Sequence, residues 1–135
     1  RAININNPDK NNGLDILTKI GGFEIGVLAG AMLGAASRNR PVIIDGFISG
    51  AAALIAWTIS RNARNYFIAA HKSVEPGHSI GLTAMGLKPL LDMEMRLGEG
   101  TGAVLTMHII EAAAKCLTDM ATFAEAGVAE KSDSE

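Results

Sequence analysis

The residue whose setting most favours chemistry is Glu99, a single carboxylate among glycines in the segment LGEGTGA, residues 97–103. Glycines lack Cβ atoms, so a ligand can approach the backbone closely, and the N–H groups that open the following helix offer a partial positive charge. A carboxylate in this setting can take a proton from a substrate nitrogen or hydroxyl, which makes Glu99 the first candidate for a general base. The alternative is structural: Gly98, Gly100 and Gly102 form a tight turn, and Glu99 is a solvated acid at a helix start.

Two further groups of polar residues follow apolar runs of the chain. Asp45 ends the run VIID, and His71, Lys72, Ser73 and Glu75 follow the run YFIAA. Such runs are typical of buried parallel strands, whose carboxyl ends open onto the edge where ligands of α/β sheets bind. A carboxylate there is costly to bury alone, so Asp45 either accepts hydrogen bonds from neighbouring backbone amides or contacts a ligand.

The segment HKSVEPGH, residues 71–78, has four interpretations. His71, Glu75 and His78 are metal-ligand types, but their spacing matches no zinc pattern. Ser73 beside a histidine has the residue types of a nucleophile and its base, but the G-x-S-x-G elbow is missing. The segment is otherwise a plain surface loop or a polar loop that contacts a ligand at the end of a strand, and we favour the last.

Strand, helix and strand succeed one another between residues 42 and 70. The pattern predicts a strand that stops at Asp45, a helix over 47–62 and a second strand over 66–70. Such a crossover is right-handed and makes the two strands parallel neighbours or near neighbours. The sequence therefore predicts an α/β fold.

The other elements are predicted from turn and helix-capping residues and from hydrophobic periodicity. We expect an extended lead-in over 1–12, helices over 14–20, 23–37 and 79–85, irregular structure over 86–95, and a long amphipathic helix over 102–126 with Thr101 as N-cap and Gly127 as stop.

The helix over 23–37 carries two features of note. Gly26, Gly30 and Gly34 share one face, which favours close packing against another element. Glu24 is either a first-turn acid that complements the helix dipole or a carboxylate that faces a ligand pocket.

The composition restricts the class of protein. Of 135 residues, 48% are hydrophobic and 19% charged, which suits one globular domain and excludes general disorder. A formal net charge of -2 and 4% aromatic residues, without a basic run, indicate no nucleic-acid partner. The lone Cys116 permits no internal disulfide and fits a cytoplasmic setting. No apolar stretch predicts a membrane span.

The segment GEGTGA also fits G-x-G-x-x-A, the permissive dinucleotide fingerprint, with Asp119 near the distance expected for a ribose ligand. The fingerprint requires a β-branched strand that runs directly into the first glycine, whereas residues 87–96 contain Pro89 and alternating charges. Asp119 is also predicted within a helix. We therefore expect no nicotinamide dehydrogenase.

Taken together, the segments GGFEI, AGAMLGAA, PVIIDGFIS, AAALIA, FIAAHKSVEPGH, LLDMEMRLGEGTGA and MATFAEAGV carry a resemblance. From about residue 7 to 128 the chain resembles the C-terminal part of the nicotinate-nucleotide–dimethylbenzimidazole phosphoribosyltransferase family. That family transfers phosphoribose from nicotinate mononucleotide to 5,6-dimethylbenzimidazole, giving α-ribazole 5'-phosphate and nicotinate in cobalamin lower-ligand assembly.

The resemblance implies a fold and a set of roles. It implies a parallel Rossmann-like α/β sheet with flanking helices, of which residues 1–135 are an incomplete C-terminal portion. The helix over 102–126 would contribute to a small helical domain, and the enzyme would be a homodimer that needs no metal or cofactor. The glutamate of the family's LGEG motif, its catalytic base, falls on Glu99. The implied substrate-binding positions, with Glu24 the weakest, are Asp45, Ser73, Leu97, Gly98, Gly100 and Glu24.

The chain departs from the family in lacking the upstream half, with its GEMGIGN-type stretch and a lysine associated with the phosphate. Because the chain starts at Arg1 rather than methionine, we expect it to be the later part of a longer polypeptide and to have little or no activity alone. The alternative function is a non-catalytic module or partner subunit that binds a nucleotide or an aromatic base.

Overall fold

The structure is a computed structural model that describes residues 1–128. Its helices are α1 (Ala2–Asn6), α2 (Gly13–Ile20), α3 (Phe23–Ala36), α4 (Phe47–Ile59), α5 (Pro76–Ala84) and α6 (Thr101–Asp119). Its strands are β1 (Val42–Ile44), β2 (Phe67–Ala69), β3 (His71–Ser73) and β4 (Leu91–Met95), and a 3₁₀ helix over Arg61–Tyr66 links α4 to β2.

The predicted strand–helix–strand unit is present. β1 and β2 pair in parallel, with Val42 opposite Phe67 and Ile44 opposite Ala69, and α4 lies between them in the chain. The prediction of an α/β fold with neighbouring parallel strands is confirmed. Asp45 therefore follows β1 at the same edge at which the chain leaves β2.

A second parallel pair continues from the first. β3 pairs with β4, with His71 opposite Leu91, and the register shifts along the pair. Ala70 joins the two pairs, because its N–H donates to the Ile44 carbonyl at 2.8 Å and its own carbonyl accepts the Leu91 N–H at 2.9 Å. The chain that forms β2 and β3 thus changes partner from β1 to β4 at this one residue.

Helix α4 forms the centre of the core. Its Ala52, Ala53 and Ala56 are fully buried, and Ile44 and Phe67 of the paired strands are buried with them. Alanine side chains are small, so α3 and the strands pack closely on α4, and burial of this apolar surface stabilises the arrangement. The packing holds the N-terminal end of α4 beside the end of β1.

Three sequence-based expectations about these elements were wrong. Residues 2–6 form a short helix rather than an extended lead-in. The expected loop over 71–78 is strand β3 followed by the start of α5, which begins at Pro76 because proline suits the first turn of a helix. The expected irregular segment contains β4, whose Glu94 has a φ of 52° where the register shifts.

Helix α6 is shorter than its periodicity predicted. It ends at Asp119, since Met120 already has extended backbone with φ -77° and ψ 131°, and Gly127 lies in a later turn. The N-cap residue of α6 is Gly100 and not the predicted Thr101, and the buried residues of the helix are Gly102 and Thr106. The predicted apolar face of α6 is therefore exposed in this chain, with Leu105, for example, 43% exposed.

The glycine face of α3 is also open. A Cβ built at Gly30 or Gly34 would have no atom within 4 Å, whereas one at Gly26 would meet Leu17 at 3.3 Å. The predicted close packing is thus seen at Gly26 and not at the other two glycines within residues 1–128. None of the helices in the same residues has the length and apolar character that crossing a membrane requires.

Candidate active site

A cleft of about 490 Å³ opens where strands end and helices begin. Its lining comes from three stretches: residues 45–49 after β1, alternate residues from β3 to the start of α5, and residues 96–100 before α6, with Leu28 from α3. Because the strands are parallel, their carboxyl ends bring these stretches to one side of the molecule, where ligands of α/β sheets bind.

Asp45 ties the sheet to the glycine-rich turn. Its Oδ2 accepts the N–H of Gly100 at 3.2 Å, and its Oδ1 accepts the N–H of Ala103 at 2.9 Å. These donors lie at the N-terminal end of α6, where backbone N–H groups lack helical partners and a negative charge is favourable. Asp45 therefore binds backbone amides, as one of its two interpretations predicted, although they lie far along the chain. The same residue also lines the cleft.

Glu99 lies in a turn of unusual backbone geometry. Gly98, Glu99 and Gly100 have φ values of 78°, 57° and 80°. Glycines adopt this left-handed conformation freely, but for a glutamate it costs about 1–2 kcal/mol. The bond from Gly100 to Asp45 helps to hold the turn in place. Glu99 is exposed at the cleft, so its side chain is accessible to a ligand there.

The cleft brings together most of the residues that the sequence singled out. Those that line it are Asp45, Ser73, Leu97, Gly98, Glu99 and Gly100. Leu97 is 73% exposed, so it offers an open apolar surface beside Glu99. Glu24 is exposed in the first turn of α3 and is not part of the lining formed by residues 1–128. That position suits the helix-dipole interpretation of Glu24, and its part in substrate binding stays a prediction.

Ser73 is held by its own backbone. Its N–H donates to Nδ1 of His78 at 3.0 Å, and its Oγ accepts the N–H of Glu75 at 3.3 Å. Because Nδ1 of His78 accepts a hydrogen bond, the neutral ring carries its hydrogen on Nε2. The histidine thus bonds to the backbone of Ser73 and not to its hydroxyl, which is not the contact that a nucleophile and its base require.

Two buried histidines lie near each other where sequence reasoning had placed a polar loop, and one of them, His71, lines the cleft. His71 and His78 are each 2% exposed, and their ring centroids are 6.1 Å apart. Burial, with help from the neighbouring His71, lowers the pKa of His78, while Asp45 acts in the opposite direction. The available signal was alternation, since exposed Lys72 separates buried His71 from buried Ser73 as in a strand.

Neither the metal-site interpretation of residues 71–78 nor the dinucleotide fingerprint at the glycine-rich turn gains support. Within residues 1–128 no group of three or more side chains of metal-ligand type comes together. For the dinucleotide fingerprint, strand β4 does precede the glycines, but it contains no β-branched residue and ends at Met95, so it does not run directly into Gly98. Asp119 is the last residue of α6 and not an acid at the end of a second strand, which is the position that ribose binding requires.

These features define the class of protein. A sequence model of the phosphoribosyltransferase family matches residues 1–128, and the chain belongs to that family. Among its relatives, the nicotinate-nucleotide–dimethylbenzimidazole phosphoribosyltransferase of Roseiflexus sp. (strain RS-1) is 62% identical over 131 residues, covering 97% of this chain and 37% of the relative. The enzyme of the same name from Chloroflexus aggregans is 61% identical over 133 residues, covering 98% and 38%.

A solved structure agrees with the sequence relatives. The crystal structure of nicotinate-nucleotide–dimethylbenzimidazole phosphoribosyltransferase from Thermus thermophilus superposes with a TM-score of 0.84 at 45% identity, covering 89% of this chain and 36% of that one. The predicted resemblance is thereby confirmed. The chain spans little more than a third of the length of these relatives.

Proposed function

We propose that this chain supplies the general base and part of the substrate cleft for the transfer of phosphoribose from nicotinate mononucleotide to 5,6-dimethylbenzimidazole. The products are α-ribazole 5'-phosphate and nicotinate, and the reaction belongs to cobalamin lower-ligand assembly. The observation that carries the proposal is the position of Glu99, which is exposed at the cleft on a turn bonded to Asp45. The shared family and the names of the relatives support it.

The chemistry requires one proton to leave. One ring nitrogen of the benzimidazole attacks the anomeric carbon of the ribose, and the bond from that carbon to nicotinate breaks. Positive charge then develops on the benzimidazole, whose other ring nitrogen must lose its hydrogen. A carboxylate within about 3 Å of that N–H takes the proton as general base, and this is the role we assign to Glu99.

The remaining cleft residues suit the substrates. Leu97 and Phe47 give apolar surface on which an aromatic base can pack, since Phe47 is 41% exposed and both line the cleft. Helix α4 begins at the cleft, and its N-cap residue, Gly46, has no side chain to cap the N–H groups of the first turn, although Ser49 Oγ accepts the N–H of Gly46 itself. The N-terminal end of α4 therefore suits a phosphate. Asp45 and Ser73 complete the set as substrate-binding residues, with the glycines of the turn.

The proposal includes partners. We propose that the upstream part of the family's fold completes the site and covers the exposed faces of α3 and α6, and that the complete enzyme is a homodimer. No metal or cofactor has a part in the proposed transfer. The helix α6 would then belong to a small helical domain.

We also propose a cytoplasmic setting, because a single cysteine, Cys116, permits no internal disulfide.

A chimera tests the function. This chain replaces the matching 131 residues of the Roseiflexus relative, and release of nicotinate is measured with nicotinate mononucleotide and 5,6-dimethylbenzimidazole as substrates. We expect turnover, and we expect Glu99→Gln to lower kcat by about 10²- to 10⁴-fold, the usual contribution of a general base. Glu111→Gln is the control, since Glu111 is exposed on α6 and should leave kcat unchanged.

The alternative, a binding module without turnover, predicts a different result. A folded chimera that binds 5,6-dimethylbenzimidazole but releases no nicotinate would favour that alternative. Nicotinate release that does not depend on Glu99 would instead refute the role of this residue as base. The identity of 62% to a relative named as the transferase favours the enzyme.

A further inference from the structure

The imidazole of His71 is enclosed by backbone at the wall of the cleft. The residue is 2% exposed although it contributes to the cleft lining. A Cβ at Gly102 would overlap its Nδ1, and a Cβ at Gly46 would lie 3.5 Å from its Cε1. The first turn of α6 and the residue before α4 therefore pack on the ring through glycines, which leaves the ring little freedom to move.

One nitrogen of this ring has no partner. Nδ1 of His71 is buried and makes no hydrogen bond within residues 1–128, an unfavourable state for a buried polar atom. Oδ1 of Asp45 lies 3.7 Å from it. A carboxylate has about four acceptor positions, so Asp45 can accept a third bond besides those from Gly100 and Ala103. A relative movement of the two side chains by less than about 1 Å shortens the separation of Nδ1 and Oδ1 to hydrogen-bond distance.

We propose that His71 is a positioning residue whose Nδ1–H donates to Asp45 and so fixes the carboxylate that holds the turn around Glu99. The effect on turnover rests on the proposed function, whereas the effect on the turn does not. His78, the titratable neighbour of His71, makes no hydrogen bond to Asp45: its Nδ1 accepts the N–H of Ser73, and its Nε2 is buried without a partner within residues 1–128. The other charged residues at the cleft are Glu75, Arg96 and Glu99.

The first test compares two substitutions in the chimera. In His71→Asn the amide nitrogen takes the place of Nδ1 and can still donate, whereas His71→Leu fills similar space without a donor. We expect His71→Leu to lower kcat by about tenfold to a hundredfold through misplacement of Glu99, with KM for nicotinate mononucleotide within about threefold. His71→Asn should restore most of kcat. Glu111→Leu is the control, since Glu111 is exposed on α6 and its side chain pairs with Lys115 of the same helix.

A double-mutant cycle shows whether the effect passes through Asp45. In a variant that already carries Asp45→Ala, His71→Leu should change kcat little further, because the acceptor of the histidine N–H is already absent. Fully additive effects of the two substitutions on kcat would overturn the proposal, as would equal kcat values for His71→Asn and His71→Leu.

Hydrogen exchange gives a readout that needs no activity. His71→Leu should speed exchange of the Gly100 and Ala103 amides, and His71→Asn should not; unchanged exchange in His71→Leu overturns the proposal. Should His71→Leu fail to fold, His71→Gln replaces it, because its amide lies one methylene further out and misses Asp45. If the unsubstituted chimera releases no nicotinate, the proposed function fails, and the exchange of these amides decides the role of His71.

Discussion

Asp45 accepts the N–H of Ala103 at 2.9 Å although the two residues lie 58 positions apart in the chain. The bond joins the end of β1 to the first turn of α6, and its companion from Gly100 holds the turn that contains Glu99. The candidate base is therefore positioned by a carboxylate from a distant strand and not by its own segment alone.

Replacing Asp45 by alanine should destabilise the protein. The substitution leaves two N–H groups at the start of α6 without their acceptor, and we expect the free energy of unfolding to fall by about 2–3 kcal/mol, measured by urea denaturation. Asp92→Ala is the matched control, because its exposed pair with Lys72 at 3.0 Å contributes at most about 1 kcal/mol. Equal losses in the two variants would contradict the structural role of Asp45.

Glu99→Gly should separate stability from activity. Glycine relieves the left-handed strain at this position, so we expect the free energy of unfolding to rise by about 0.5–1 kcal/mol while nicotinate release by the chimera is lost. Glu111→Gly, within α6, should instead lower the free energy of unfolding by about 1 kcal/mol. A loss of stability in Glu99→Gly would show that the glutamate side chain stabilises the turn.

Gly30→Ala tests whether the open face of α3 becomes covered. In this chain alone the added methyl group meets no atom within 4 Å, so helix propensity should raise the free energy of unfolding by up to about 1 kcal/mol. In the chimera the same substitution should be destabilising, because the sequence predicts close packing on this glycine face. Equal stabilisation in both proteins would show that the face stays open.

Stability should fall in mild acid because of His78. The pKa of this residue is lowered below its usual 6.5, mainly by burial, so the unfolded chain binds a proton at a pH where the folded chain does not. The contribution of His78 to stability is therefore fully present above about pH 6.5, and it is lost as the pH falls from there towards the lower pKa of the folded state. The measurement is the melting temperature between about pH 7.5 and pH 5, a range above the ordinary titration of carboxyl groups.

The control for this pH dependence is His78→Asn. Asparagine can still accept the N–H of Ser73 but does not titrate. The melting temperature of the variant should therefore change less between about pH 7.5 and pH 5 than that of the unsubstituted protein. The pKa values of Asp15 and Glu125 are also lowered, but their stabilisation is lost at lower pH. An identical pH dependence in both proteins would show that His78 is not its source.

Much of the fold and site was predictable from local sequence. The run VIID, the apolar helix after it and the run YFIAA predicted the unit that the structure contains, because strand and helix periodicities are local. The glycines around Glu99 likewise predicted a turn before a helix. Strand β4 was missed although LDMEM alternates apolar and charged residues, because it contains no β-branched or aromatic residue and Pro89 lies just before it.

The sequence by itself determined the α/β class, the family and the candidate base, since these depend on periodicity, spacing and motifs along the chain. Only the tertiary structure decided that Asp45 binds the amides of Gly100 and Ala103, that His71 and His78 are buried beside each other, and that Glu24 lies apart from the cleft. The physical reason is that hydrogen bonds and burial depend on which distant segments the packing of α4 and the parallel strands brings together, and no local pattern encodes those neighbours.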